Sequence, residues 1–482
     1  MKRLVFILIV WLTVWLTAAN LASAALPAPV AKALRQAGIP EKDVGVFVQD
    51  VTAAKPLLAH RAESPMNPAS TMKLVTTYAA LELMGPAYVW DTEFYAVGER
   101  RGDVLDGDLV IKGYGDPKLT LENLWLALRE MRQRGLREIR GDLVLDRSFF
   151  AVKPGDPGGF DNEPLRPYNV TPSALLINFN AIRLQFIPGA ANTVQVIADP
   201  QPPGLRIDNR VTLSTGACGD WSEKIAAGVE RSAGNSTLVL AGAYASSCLE
   251  KTRHYSVLDQ TPYIYGVFRQ LWEELGGTLR GSVREASALP ASAQLLYTHY
   301  SPPLAEIVRD INKFSNNVMA RQLFLSIGAF AHGPPATAES AAVAIKEWLA
   351  GKRLLNAGLV LENGSGLSRI ERIAPQTLAR MLINAYGSAL MPEFIGSLPL
   401  TAVDGTMKKR LIGSAVGGRA HIKTGSLENV NAIAGYVLDE QGKMKVVVSI
   451  VNHANASGAQ AAHDALLQWA YWGTYGGDKR GR

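Results

Sequence analysis

Hydrophobic positions follow two kinds of pattern along the chain, and they predict a mixture of strands and helices. Short apolar runs near both ends favour strands at residues 44–50, 56–60, 420–424, 432–437 and 445–451. Helical spacing of apolar positions predicts helices at residues 29–39, 121–134, 262–275 and 458–472, and two helices within residues 302–328. Because the terminal strands are joined by short turns, we expect one antiparallel sheet that helices cover.

The middle of the chain has a different texture from its two ends. Residues 166–250 are strand-like and rich in turns, as in the stretch NFNAIRLQFIPG. The sequence shows no repeat of fixed period. The simplest architecture is therefore one domain that is built from both ends of the chain and carries a long insertion.

The first 24 residues have the pattern of a secretory signal peptide. Lys2 and Arg3 form a positive start, residues 4–19 are apolar, and the Ala-Ser-Ala of residues 22–24 is a small-x-small cleavage site. The apolar run is short for a membrane span, although an uncleaved anchor remains an alternative. We therefore expect an exported protein with at most peripheral membrane contact.

Export changes the meaning of the two cysteines, Cys218 and Cys248. In an oxidising compartment we expect them to form a structural disulfide, with two buried free thiols as the alternative. No histidine cluster accompanies them, so the sequence predicts neither a metal site nor a cofactor.

Composition narrows the range of partners. Of the 482 residues, 48% are hydrophobic and 19% are charged, which is typical of a folded chain with two or more domains. The net charge of +6 is mild and no basic run stands out, so we do not expect nucleic-acid binding. A weakly basic surface suits an anionic partner such as a cell-wall polymer or a membrane face.

The stretch NPASTMKLVTT, residues 67–77, carries the first candidate chemistry. It predicts a helix that Asn67 caps, with Ser70 and Lys73 one turn apart on the same face. Apolar residues cover nearly the whole circumference, which predicts a buried helix and a lysine with a depressed pKa. A neutral lysine can take the proton of a serine hydroxyl. The alternative is a chance pair with Lys73 at the surface.

Two further motifs favour the catalytic interpretation. Residues 315–317 (SNN) lie between or just inside predicted helices, and residues 423–425 (KTG) end a predicted strand. The set S-x-x-K, S-x-N and K-T-G is the signature of serine β-lactamases and penicillin-binding proteins. The chain has no G-x-S-x-G elbow, which disfavours a Ser–His–Asp hydrolase.

Other stretches extend the likeness over the whole mature chain. They are KGYGDPKLT (112–120), LLINFNAIRL (175–184), NGSGLSR (363–369) and SLPLTAVDGTM (397–407). Together with the long insertion, they resemble the class C penicillin-binding proteins, the D-alanyl-D-alanine carboxypeptidase/endopeptidase family of bacterial cell walls. Compact serine β-lactamases are similar only in the catalytic domain and lack the insertion.

The resemblance implies an α+β fold with three domains. A serine β-lactamase/transpeptidase-like domain, an antiparallel sheet flanked by helices, would carry two nested inserted domains rich in β-structure. We assign residues 25–90 and 292–482 to the catalytic domain. Inserted domain II takes residues 91–165 and 250–291, and inserted domain III takes residues 166–249.

Chemistry and the resemblance together assign the first two motifs to catalysis. Ser70 is expected to attack the carbonyl between two terminal D-alanines and form an acyl-enzyme, with Lys73 as its base. Ser315 is expected to relay a proton to the leaving amine. Asn317 is expected to hydrogen-bond a backbone amide of the substrate.

The third motif is expected to bind the end of the substrate. Lys423 and Thr424 would hold its terminal carboxylate, and Lys423 would also keep Lys73 neutral by like-charge repulsion. Gly425 would let the substrate approach the strand closely. The backbone N–H of Ser426, together with that of the nucleophile, would form the oxyanion hole.

Two more residues are candidates for recognition of the substrate side chain. Arg369 is expected near that side chain as a positive group, with a surface ion pair as the alternative. Asp146 is a candidate to reach the cleft from the inserted domain. The family often has an amide where this chain has Glu428, a departure that bears on side-chain specificity.

The sequence thus predicts a periplasmic D-Ala-D-Ala carboxypeptidase that acts on peptidoglycan stem peptides and binds β-lactams covalently. Cleavage of cross-links is a second expected reaction, which the sequence does not rank against the first. One alternative is a serine β-lactamase or related esterase, which the insertion and the absence of an obvious deacylating glutamate motif disfavour. The other is a non-catalytic wall-binding protein, which the three intact motifs disfavour.

Overall fold

A computed structural model describes residues 25–153, 155–190, 192–232 and 235–473, so the expected signal peptide, residues 1–24, lies outside the described residues. The described helices are α1 (Ala28–Gln36), α2 (Lys73–Met84), α3 (Leu121–Gln133), α4 (Gln260–Glu274), α5 (Leu304–Phe314), α6 (Asn317–His332), α7 (Ala338–Gly351), α8 (Pro375–Tyr386), α9 (Met391–Ser397) and α10 (Gln460–Trp472). Within these ranges, no helix is both long and apolar enough to cross a membrane.

The strands lie in both ends of the chain and throughout the insertion. They are β1 (Val44–Asp50), β2 (Leu58–His60), β3 (Asp91–Arg101), β4 (Val104–Gly113), β5 (Glu138–Ile139), β6 (Leu143–Asp146), β7 (Ile182–Pro188), β8 (Val194–Asp199), β9 (Leu205–Ser214), β10 (Ile225–Ser232), β11 (Asn235–Ala245), β12 (Lys251–Tyr255), β13 (Thr278–Leu279), β14 (Val283–Ala286), β15 (Gln294–Tyr300), β16 (Ala420–Leu427), β17 (Val430–Leu438) and β18 (Met444–Asn452).

The two ends of the chain build one five-stranded antiparallel sheet, in the order β16-β17-β18-β1-β2. β17 and β18 are nearly continuous buried runs because helices cover both faces of the sheet. The terminal strands that the sequence predicted are confirmed, although β2 begins only at Leu58. The predicted helices are also confirmed, with ends that differ by a few residues.

Each face of this sheet has its own layer of helices. α1 and α10 pack on one face, where Leu34 and Leu466 are fully buried. α2 lies in the core on the other face, together with α5, α6, α7 and α8. The side chains of α2, for example Leu74 and Tyr78, are buried around almost the whole helix, as the apolar pattern predicted.

The start of α2 differs from the prediction. Ala69–Met72 form a 3₁₀ turn, and the α-helix begins at Lys73. Asn67 Oδ1 accepts the backbone N–H of Ala69, so Asn67 caps the turn and not the α-helix. Ala69 has φ +46°, which is unusual for a residue with a side chain. Ser70 therefore lies in a tight turn immediately before the helix.

The insertion folds around a separate core. Its largest sheet has seven strands, β13-β5-β4-β3-β15 with β6 beside β4 and β14 beside β6. Two three-stranded sheets, β12-β7-β8 and β10-β11-β9, complete its β-structure. Leu145, Leu184 and Leu240 come from the three sheets and are fully buried in one common core, which α3 and α4 also join.

The borders of the inserted domains stay a proposal. In the structure, β15 pairs with β3 although it follows residue 291, and β12 pairs with β7 although it follows residue 249. The chain returns to the terminal sheet through α5, which packs against α2.

A disulfide joins Cys218 and Cys248 within the insertion, with their Cα atoms 4.7 Å apart. The two cysteines are 30 residues apart in sequence, and the intervening chain carries β10 and β11. The bond therefore closes a loop that contains two strands, β10 and β11, of the three-stranded sheet β10-β11-β9.

Removing this bond is expected to destabilise the insertion. In the chain-entropy account, closing a loop of this length stabilises a fold by about 3–4 kcal/mol. The double variant Cys218→Ala/Cys248→Ala should therefore lower the midpoint temperature of an unfolding transition in differential scanning calorimetry. The wild-type protein under a reductant should show the same shift, and an unchanged thermogram in both would contradict the expectation.

Candidate active site

Lys73 is buried directly beneath Ser70. Its Nζ lies 3.0 Å from Ser70 Oγ, 2.5 Å from Asn317 Oδ1 and 2.5 Å from the backbone carbonyl oxygen of Ser365. Burial lowers the pKa of Lys73 well below its usual range, and the positive charge of Lys423 lowers this pKa further. The side chain is therefore poised to lose its proton.

The three contacts are compatible with a neutral lysine, and equally with an ammonium that donates to all three oxygens. A neutral amine has two N–H donors and one lone pair. The carbonyl oxygens of Asn317 and Ser365 can only accept, so they take the two N–H groups. The lone pair is then left to accept the O–H of Ser70. This is the arrangement in which a base withdraws the proton of a nucleophile.

Ser315 lies in the turn between α5 and α6 and is held by the third motif. It has φ +57°, the left-handed conformation that ends α5. Lys423 Nζ donates to Ser315 Oγ at 2.8 Å and to the carbonyl oxygen of Thr424 at 2.8 Å. Lys423 is itself fully buried, and burial lowers its pKa to about 7.

The motif strand β16 lies at the edge of the sheet and touches the serine turn. A Cβ atom on Gly425 would lie 3.0 Å from the backbone nitrogen of Ser70 and 2.8 Å from the carbonyl oxygen of Pro68. Only glycine allows this close approach of two backbones. On the same strand, Thr424 donates its hydroxyl to Thr406 Oγ1 at 2.9 Å, and Ser426 is exposed.

Glu371, which the sequence interpretation missed, holds the loop that faces Lys73. Its side chain is fully buried, and Oε1 accepts the backbone N–H groups of residues 362–364 at 3.0–3.1 Å. The next residue in this loop, Ser365, presents its carbonyl oxygen to Lys73. Burial raises the pKa of Glu371, and the three N–H groups oppose that rise. Its negative charge in turn raises the pKa of Lys73.

Gly366 allows the same loop to pack closely against the turn that carries Ser70. Gly366 has φ +79°, and a Cβ atom there would lie 1.9 Å from the carbonyl oxygen of Ala69. Within the loop, Asn363 Oδ1 accepts both the backbone N–H and the hydroxyl of Ser365. The position of the Ser365 carbonyl is therefore fixed from several sides.

Arg369 lies at the rim, where the insertion meets the terminal domain. It forms an ion pair of 3.1 Å with Glu428, which follows the K-T-G-S-L stretch, and its side chain is 45% exposed. Its guanidinium carbon lies 4.6 Å from the ring centre of Phe160, a residue of the insertion. The surface ion pair that the sequence left open is thus present.

Asp146 lies at the end of β6 and is buried. Its Oδ1 accepts the backbone N–H of Ser148 at 2.9 Å and the Ser148 hydroxyl at 2.6 Å. Asp146 Oδ2 has no hydrogen-bond partner among the described residues. In the described part of the chain, no hydrogen bond or ion pair joins Asp146 to the other candidate residues.

The structure thus brings three distant segments around one serine hydroxyl. The turn before α2 gives the serine, α2 and α6 give a buried lysine and its asparagine acceptor, and β16 gives a second buried lysine. The described ranges contain no group of three or more His, Cys, Asp or Glu side chains that could hold a metal ion. The groups gathered here are those of nucleophilic acyl transfer.

Comparison with known proteins finds D-alanyl-D-alanine carboxypeptidases among the relatives of this chain. The chain resembles a D-alanyl-D-alanine carboxypeptidase of Actinomadura sp. (strain R39), with 31% identity over 444 residues that cover 88% of this chain and 80% of the relative. The crystal structure of penicillin binding protein 4 from Haemophilus influenzae matches with a TM-score of 0.76 at 24% identity, over 92% of this chain and 99% of that chain. The same Haemophilus protein complexed with a β-lactam matches with a TM-score of 0.73.

These matches confirm the predicted α+β fold, because structural similarity at 24% sequence identity is evidence about the fold. The family model described as the D-Ala-D-Ala carboxypeptidase 3 (S13) family matches residues 26–471, which is nearly the whole described chain. The protein therefore belongs to the D-Ala-D-Ala carboxypeptidase 3 (S13) family and is a serine-type carboxypeptidase.

Proposed function

We propose that the protein releases the terminal D-alanine of peptidoglycan stem peptides through an acyl-enzyme on Ser70. The observation that carries the proposal is the fully buried Lys73 Nζ, which lies 3.0 Å from Ser70 Oγ. In its neutral form, Lys73 takes the hydroxyl proton while Ser70 Oγ bonds to the carbonyl carbon. The backbone N–H groups of Ser70 and Ser426 donate to the oxyanion that forms.

Ser315 serves the next step. Its Oγ accepts an N–H of Lys423, so its own hydroxyl proton remains free to donate. When the C–N bond breaks, that proton passes to the leaving nitrogen, and Lys73 gives Ser315 Oγ the proton that it took from Ser70. D-Alanine leaves as an amine, and water then hydrolyses the ester on Ser70.

Substrate binding and base activation are coupled through Lys423. Lys423 and Thr424 hold the terminal carboxylate, and Asn317 holds a backbone carbonyl of the stem peptide through its Nδ2. Because burial lowers the pKa of Lys423 to about 7, an arriving carboxylate favours its charged form. That charge lowers the pKa of Lys73, so the bound substrate helps to keep its own base neutral.

The rim residues act on the stem-peptide side chain in this proposal. Arg369 offers a half-exposed guanidinium to a negative group of that side chain, and it exchanges its Glu428 partner for the substrate. Asp146 is proposed to lie in the wall that the insertion contributes to the cleft.

The same acyl-enzyme accounts for two further expected activities. A cross-link is cut when the leaving amine belongs to a second stem peptide. A β-lactam acylates Ser70 because its strained amide opens at the same carbonyl, and the Haemophilus influenzae protein of the same fold has been crystallised with a β-lactam. Peptidoglycan lies outside the cytoplasm. This location agrees with a periplasmic enzyme whose residues 1–24 direct its export.

Replacing Ser70 by alanine is expected to abolish covalent labelling by a fluorescent penicillin and the release of D-alanine from a pentapeptide that ends in D-Ala-D-Ala. The reason is that Ser70 Oγ forms the acyl bond. Lys73→Met should lower the acylation rate constant by roughly 10²–10⁴-fold, the usual contribution of a general base. Gel fluorescence and a D-alanine assay measure the two activities.

Ser64→Ala, a change in the turn before the motif, is the control and should leave both activities intact. Fast β-lactam turnover without D-alanine release would contradict the proposal and favour a β-lactamase. Loss of neither activity in Ser70→Ala would also contradict it. No labelling and no D-alanine release by the wild-type protein would favour a non-catalytic wall-binding protein.

Replacing Glu371 by glutamine is expected to move the acid side of the pH–rate profile of acylation to lower pH. The Glu371 charge raises the pKa of Lys73, so its removal lowers that pKa and keeps Lys73 neutral in more acidic solution. The measurement is the rate constant of penicillin labelling across the acidic and neutral range.

Glu362→Gln is the matched control, because it removes the same charge from an exposed neighbour in the same loop. It should leave the profile in place. A Glu371→Gln profile that coincides with the wild-type profile would contradict the role of the Glu371 charge.

A further inference from the structure

The insertion contains a cavity of about 1250 Å³. Its walls come from residues 162–166, 170–174, 225–229 and 255–261, and none of the three catalytic motifs lines it. Ligand pockets for small molecules usually measure about 300–1000 Å³. This cavity is therefore large enough for a ligand of several linked rings.

Charges of both signs line the cavity. Among the described residues, four arginines and five carboxylate side chains face it. Several are already paired, such as Arg166 with Glu163 at 3.1 Å and Arg147 with Glu285 at 3.4 Å. A wall of paired charges offers many donors and acceptors but little net charge, so it suits a polar ligand that is itself uncharged.

Some polar groups in this wall lack partners. The Nε–H groups of Arg147 and Arg253, the hydroxyl of Tyr255 and the Oδ1 of Asn180 are buried and have no hydrogen-bond partner among the described residues. Buried polar groups are rarely left unpaired. Unpaired donors and an acceptor among the lining residues leave hydrogen-bonding capacity that a polar ligand can use.

Two connections join the cavity to the catalytic cleft. The segment of residues 155–166 lines the cavity, while Phe160 within it lies against Arg369 at the rim. On another wall, Ser173 exchanges two backbone hydrogen bonds with the Gln322 side chain, at 2.9 and 2.8 Å. Gln322 belongs to α6, which begins at Asn317 beside Lys73. The cavity and the cleft are thus linked through the segment of residues 155–166 and through α6.

We propose that this cavity binds a segment of the amino-sugar glycan strand to which the stem peptide is attached. Sugar hydroxyl and N-acetyl groups both donate and accept hydrogen bonds, and they carry no charge, as the lining requires. The glycan is also the part of the polymer next to the peptide in the cleft. The inference rests on the proposed function for its substrate.

Direct binding tests the inference with the Ser70→Ala variant of the mature protein, which cannot turn over. The probe is chitotetraose, an uncharged N-acetylglucosamine oligomer, and isothermal titration calorimetry measures its affinity. Tyr255→Phe and Arg253→Gln, each added to this variant, should weaken binding roughly fivefold, the value of one ordinary hydrogen bond. Tyr255→Phe removes a hydroxyl without a protein partner, so folding should be preserved.

Arg183→Gln is the matched control. Arg183 lies on β7, beside the strand of Arg253, but pairs with Asp199 at 2.7 Å outside the cavity. Its substitution should leave chitotetraose binding unchanged. The ratio of kcat/KM on a disaccharide-pentapeptide to kcat/KM on the free pentapeptide should fall in Tyr255→Phe and Arg253→Gln enzymes that retain Ser70.

The outcomes separate the cavity from the active site. No chitotetraose binding, or binding that the cavity variants leave unchanged, would overturn the inference even if the enzyme releases D-alanine from the free pentapeptide. Displacement of chitotetraose by the free pentapeptide would overturn it in favour of a peptide site. Binding that the variants weaken would support it even if no D-alanine is released, a result that would refute the proposed function alone.

Discussion

The arrangement of the site depends on the amine of Lys73, which is buried away from water. Lys73 is fully buried in a helix that is apolar nearly all round, and an ammonium in such a place is costly. The cost falls when the proton leaves, and the neutral form can keep all three contacts of Lys73, with two oxygen acceptors and one hydroxyl. Burial in the core thus does two things at once. It stabilises the fold through the apolar neighbours of Lys73 and lowers the pKa of Lys73.

Distant parts of the chain share the task of holding this amine. The turn that carries Ser315 needs a left-handed residue, and the approach of β16 needs a glycine at position 425. The loop around Ser365 is held by Glu371, whose charge opposes the effects of burial and of Lys423 on Lys73. The pKa of Lys73 is therefore set by burial together with neighbouring charges of opposite sign.

The sequence predicted the parts of this arrangement that local pattern controls. The strands at both ends, the buried helix and the three motifs were recognisable because they depend on periodicity and on residues close in sequence. The 3₁₀ turn before Lys73, the role of Glu371 and the contact of Thr406 with Thr424 were not recognisable. Each depends on a backbone group or a neighbour that only the tertiary fold supplies. Phe160 at the rim and the cavity of the insertion belong to the same class.

A direct titration of Lys73 tests the central claim. Nitrogen-15 NMR of the lysine Nζ groups, with Lys73→Met used to assign the signal, follows the protonation of this one side chain in the resting enzyme. The account predicts that Lys73 titrates well below an ordinary lysine pKa of about 10.4. A Lys73 signal that titrates together with the surface lysines would contradict it.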